Sequence, residues 1–193
     1  MEAPSEALLK LAALLDRRGH LVEQLAREKN RLQNSETFIH RSIKRMIRIL
    51  EKEINLLGIQ ALGLGLATYV HEIGQTPRIV VGHDYRSYSL SVKQALILGL
   101  LEGGMEVLDI GLALSPMAYY AQFALDCPCV AMVTASHNEN GWTGVKMGAQ
   151  APLTFGPDEM TRLKEIVLNG AGVARAGGRV ERVVGFREQY IKD

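Results

Sequence analysis

Through the first third of the chain, apolar residues recur every three to four positions. Leu8, Leu11, Leu15, Val22 and Leu25 hold a and d positions of a heptad within residues 5–30, with Arg18 and Lys29 in two of the remaining seam positions. Ile39, Ile43, Ile47, Leu50 and Ile54 repeat the pattern, which predicts a second helix capped by Ser35 and stopped at Gly58. Together they form a helical hairpin over residues 1–57 whose apolar seam calls for a partner, in a second copy or another domain. Residues 58–74 read as a third helix, with Leu62, Leu66, Ala67 and Val70 inward and Gly63 and Gly65 allowing close packing.

From there the pattern changes to short apolar runs alternating with helical segments. Residues 78–81, 107–110 and 129–133 read as buried strands. Helices follow at 89–101, closed by Gly103 and Gly104, at 115–125, capped by Ser115 with Pro116 in its first turn, and at 158–168. Met117, Tyr119, Tyr120 and Phe123 make one core-facing side, and residues 171–178 make a Gly- and Ala-rich turn. This alternation predicts an α/β fold, a three-layer α/β/α sandwich with a mixed, mostly parallel sheet over residues 58–193, preceded by the α-helical hairpin.

Composition adds little to that picture overall and something locally. A net charge of +1 gives no general pull toward nucleic acid or anionic membrane. Residues 1–58, however, carry eleven Lys or Arg against eight Asp or Glu, and Arg41, Lys44, Arg45 and Arg48 fall on one helix stripe. Such a stripe is either a solvated face or a contact for nucleic-acid phosphates. Cys127 and Cys129 flank Pro128 and read as buried thiols, since an extended C-x-C supplies at most half a zinc site. With no basic-then-apolar leader pattern at the N-terminus and no disulfide framework, a reducing cytoplasm is expected. The most apolar windows, residues 61–70 and 95–101, are too short to span a bilayer, so no membrane partner is expected.

The candidate chemistry lies in residues 133–148, Val-Thr-Ala-Ser-His-Asn-Glu-Asn-Gly-Trp-Thr-Gly-Val-Lys-Met-Gly. They follow a buried strand, so Ser136 emerges on an exposed loop rich in residues that tolerate positive φ. Backbone N–H groups of such a loop turn toward an anion, His137 adds a titratable donor, and Lys146 returns a positive charge. A plain turn would explain the Asn, Gly and Ser, but not the His-Asn pair or a lysine at that distance. A second loop, residues 82–89, has the spacing Gly-x-Asp-x-Arg-x-x-Ser. There Asp84 and Arg86 either pair and brace the loop, or Arg86 helps frame a phosphate.

Thr134 to Asn138, with Gly144, Val145 and Lys146 ten positions after the serine, resemble the phosphoserine loop of the alpha-D-phosphohexomutases, which include phosphoglucomutase and phosphomannomutase. Over residues 58–193 the resemblance covers most of one domain in four, ending at the start of a second domain. It implies that Ser136 carries a phosphoryl group moved between the C1 and C6 oxygens of a hexose phosphate, with His137 and Lys146 catalytic and Asn138 and Arg86 substrate-binding. Hexose 1,6-bisphosphate is then the activator. Mg2+ is the implied cofactor, bound through the Ser136 phosphate and three aspartates of an Asp-Gly-Asp-Gly-Asp-Arg loop that this sequence lacks. Also absent are the family's sugar-discriminating loop, its phosphate clamp and the Gly-x-Arg-Gly segment before the first helix, and Glu139 replaces a frequent proline.

Residues 14–32 and 43–53 resemble, less specifically, the coiled-coil linker of insertion-sequence transposases with a RuvC-like nuclease domain. The alternative function is accordingly a helical protein that self-associates as a homo-oligomer through residues 5–57, or binds nucleic acid, and carries a silent α/β domain.

Overall fold

The computed structural model describes residues 6–34 and 40–193. Helix α1 spans Glu6–Asn34 and α2 spans His40–Glu72. Numbers rise along α1 as their partners on α2 fall, with Arg18 beside Gly58 and Lys29 paired to Glu51, so the two run antiparallel. The side chains of Leu8, Leu11 and Leu15, and the Ser35 cap, lie outside the described residues.

One expectation about this part is corrected. Helix α2 does not stop at Gly58 but continues unbroken to Glu72, merging the predicted second and third helices. One glycine costs a helix only about 1 kcal/mol relative to alanine, which burial on either side of it outweighs. As a single helix, α2 is long and apolar enough by length and composition to cross a membrane, whereas the separate windows were not. Half of its most apolar window is buried inside the protein. The seam of Ile43, Ile47, Leu50 and Ile54 is also buried within the chain, where α1 packs along it. Val22, Met46 and Ile49 remain exposed.

Five strands follow: β1 Arg78–His83, β2 Glu106–Leu112, β3 Cys129–Val133, β4 Val145–Gly148 and β5 Arg179–Arg182. Their order is β4-β3-β1-β2-β5, with β3, β1, β2 and β5 parallel and β4 antiparallel to β3. Helix α3 is Ser89–Glu102, α4 Ser115–Ala124, α5 Pro157–Leu168 and α6 Phe186–Lys192. Side chains alternate across the central strands as a two-residue period requires. Ile79, Val81, Cys129, Ala131 and Val133 join the core under α2, α3 and α5, while Val80, Leu108, Val130 and Met132 join that under α4 and α6. The result is the predicted α/β/α sandwich.

Helices α2 and α3 cross almost backbone to backbone. A Cβ on Gly63 would lie 2.3 Å from the Leu96 carbonyl oxygen, and one on Gly99 would lie 2.0 Å from that of Gln60. On the other face, Met117 is buried as expected, but Phe123 is 62% exposed, so the apolar side of α4 is narrower than its spacing implied. Nor does Ser115 cap α4: Leu114 holds the cap position and Ser115 begins the first turn.

Candidate active site

Parallel strands put the carboxyl ends of β1, β2 and β3 along one edge, the position at which α/β folds collect functional loops. The Asp84 N–H donates to the Val133 carbonyl (3.0 Å), and the Ala113 N–H donates to that of His83 (2.9 Å), which ties the three exits together. A hollow of about 270 Å3 lies here, lined in part by Asp84, Tyr85, Leu114 and Arg187.

Ser136 stands on this edge, exposed, with φ +56, a left-handed conformation that an L-residue adopts only under constraint. The constraints are identifiable. Its N–H donates to Thr134 Oγ1 (2.9 Å), the Asn138 N–H donates to the Ala135 carbonyl (3.0 Å), and the Thr134 N–H to that of Gly144 (3.0 Å) closes the loop at its base. His137 Nδ1 is 3.4 Å from Ser136 Oγ, at the outer limit of a hydrogen bond, and both side chains face solvent. Asn138 is likewise exposed.

Lys146 lies on β4 opposite Met132, and cross-strand partners share a face of the sheet. Because Met132 belongs to the core under α4, Lys146 reaches toward α4, its Nζ 3.4 Å from Ser115 Oγ. The pairing puts a cation at the first turn of α4.

Arg86 is 8% exposed and its guanidinium is committed to the loops themselves. Nη1 bonds Asp84 Oδ2, while Nη2 donates to the backbone carbonyls of Asn138 (2.6 Å) and Ser136 (3.3 Å). Of its nitrogens, Nε is buried without a partner. The bracing role weighed for Asp84 and Arg86 is therefore the arrangement found, extended to the serine loop 50 residues away. Burial alone would raise the Asp84 carboxyl. Hydrogen bonds from Ser89, the Arg86 backbone and Thr134 outweigh it and hold the group below the usual carboxylate range.

Several contributors were not legible in the sequence. Tyr88 Oη donates to the Trp142 carbonyl (2.7 Å) and accepts from the Gly141 N–H (3.0 Å), pinning the far end of the serine loop. Ser115 reaches Lys146 through a contact made only by the folded sheet. His83, at the end of β1, has a buried Nδ1 without a partner, and burial together with nearby Lys93 lowers its pKa. Lys93 itself is buried and bonds both oxygens of Asp109 at 2.6 Å, fastening α3 to β2.

No group of three or more His, Cys, Asp or Glu side chains able to hold a metal ion occurs among the described residues. A phosphorylated Ser136 would offer an ion its phosphate oxygens, but the carboxylates that would complete the shell are not gathered here.

A family profile described as "Phosphoglucomutase/phosphomannomutase, alpha/beta/alpha domain I" matches residues 45–172. The chain belongs to this family. The match begins within α2, upstream of Gly58, as the continuous helix would suggest. A "Probable phosphoglucosamine mutase" of Pyrococcus furiosus is 38% identical over 106 residues, 55% of this chain and 23% of that protein. A "Phosphoglucosamine mutase" of Methanococcus aeolicus is 33% identical over 114 residues, 59% of this chain and 25% of that protein. Among solved structures, a phosphoglucomutase/phosphomannomutase family protein from Burkholderia thailandensis superposes with TM-score 0.63 at 25% identity, covering 69% of this chain and 30% of its own. This phosphohexomutase-family chain thus spans about a quarter of the length of the curated relatives it matches.

Proposed function

We propose that this chain is the phosphoserine-bearing domain of a phosphohexomutase, with Ser136 as the phosphoryl carrier. The observation that carries the reading is a solvent-exposed serine held at positive φ at the end of a central parallel strand, in a chain of this family. In the transfer step the bond from phosphorus to Ser136 Oγ breaks as one to a sugar hydroxyl oxygen forms, and the hydroxyl proton passes to the released serine oxygen. His137 is the group next to Oγ for relaying that proton, and Asn138 presents its amide to the sugar phosphate. Such transfer depends on positioning and on opposing charge, which assigns Lys146 the electrostatic part and Arg86 the part of holding the loop. Magnesium, when bound, would neutralise phosphate charge.

Names of the relatives make glucosamine phosphate the first sugar to try, ahead of glucose and mannose phosphates. The two buried free thiols suit a reducing cytoplasm. Incubation with hexose 1,6-bisphosphate followed by intact-mass analysis tests the central assignment. A gain of one phosphoryl group, absent in Ser136→Ala, is expected; the same gain in that variant would place the phosphate elsewhere.

A further inference from the structure

The amino-terminal half of α2 and the serine loop face each other across a cleft of about 950 Å3, a size in the range of small-ligand sites. Arg48, Lys52, Leu56 and Ile59 line it from α2, while Tyr88 and Trp142 line it from the opposite side. Its lining includes no carboxylate. On the same turns of α2, Glu51 and Glu53 are turned to α1 and paired with Lys29 and Arg17. Arg48 and Lys52 are both exposed and have no ion-pair partner among the described residues, so two cations face the cleft without counter-charge. Across from them, Trp142 is 67% exposed although its loop is pinned by Tyr88, which makes it a held but uncovered aromatic face. Two neighbouring cations match the dianion of a phosphomonoester, and an open indole matches the C–H face of a pyranose ring.

We propose that this cleft is a binding site for a phosphorylated sugar, Arg48 and Lys52 holding its phosphate and Trp142 its ring. The choice of sugar phosphate rests on the phosphoserine reading, but binding in the cleft does not require the Ser136 hydroxyl. Residues of α2 at the start of the family match, ahead of Gly58, then take part in ligand recognition instead of serving only as a helical appendage.

Trp142 is the single tryptophan of the chain, so its fluorescence reports on the cleft directly. Titration with glucose 6-phosphate is expected to give a saturable change that Ser136→Ala retains. The double variant Arg48→Gln/Lys52→Gln is expected to bind roughly ten-fold more weakly or worse, as loss of charge-assisted bonds implies, and unphosphorylated glucose weakly or not at all. No saturable change, a double variant equal to wild type, or glucose as effective as its phosphate would each overturn the proposal. Both substituted side chains are exposed, and an unchanged far-ultraviolet spectrum shows the helix intact. A fluorescence response without Ser136 phosphorylation would defeat only the phosphoserine reading; phosphorylation without a response would defeat only this site.

Discussion

The guanidinium of Arg86 donates to the backbone carbonyl of Asn138 at 2.6 Å, joining the loop after β1 to the loop after β3. Its other end is bonded to Asp84, so one buried cation fixes both loops. Removing it leaves the Asp84 carboxylate buried and short of a counter-ion. Arg86→Ala is expected to lower stability in urea unfolding by about 3–5 kcal/mol, the usual cost of breaking a buried pair. Arg86→Lys keeps the charge and loses the fork, so it should recover part of the stability while phosphorylation of Ser136 stays slow.

Asp84 sets an acid limit on the same junction. Its folded-state pKa is lowered, so its contribution to stability is fully present above the ordinary carboxylate range and is lost as pH falls through the lowered value. The melting temperature of wild type should exceed that of Asp84→Asn at neutral pH, and the gap should close on acidification below the usual carboxylate pKa. A gap independent of pH would mean that the charge of Asp84 is not what the site uses.

Two glycines in the helical layer should respond in opposite directions. Gly99→Ala places a Cβ 2.0 Å from the Gln60 carbonyl oxygen and must push α3 from α2, at a cost of about 1–3 kcal/mol. Gly58→Ala meets nothing nearer than Arg18 Nε at 4.0 Å. Within a continuous helix it is expected to stabilise by roughly 0.5–1 kcal/mol. Thermal denaturation of the two variants checks both signs.

Burial pushes the Cys127 thiol up to about 11 and that of Cys129 to about 12. Thiolate is the reactive form, so both should resist disulfide-exchange reagents at neutral pH in the folded protein and react once it is unfolded. Rapid labelling of the native chain would contradict this packing.

The sheet was legible because its central strands are buried on both faces and appear as uninterrupted apolar runs, as Cys129–Val133 does. Strand β5 was not, since all four of its residues are exposed on an edge and leave no apolar run to detect. Helix α2 was divided too early because Gly58 carries a local stop signal, and only the packing along both halves of the helix overrides it. Ser136 could be found because its loop chemistry is contiguous in sequence. Tyr88 could not, since its partner Trp142 lies 54 positions away and a tyrosine before a helix is no signal by itself.

By itself, the order of residues determined the layered α/β/α class and the serine loop, because both are written in local periodicity and local turn chemistry. The tertiary structure decided what the loop leans on: Arg86 turned inward as a strut, Lys146 directed to α4, and Arg48 and Lys52 left facing Trp142. Those are pairings between distant segments, fixed by strand register and helix crossing, and no local pattern encodes which side chains such a register will bring together.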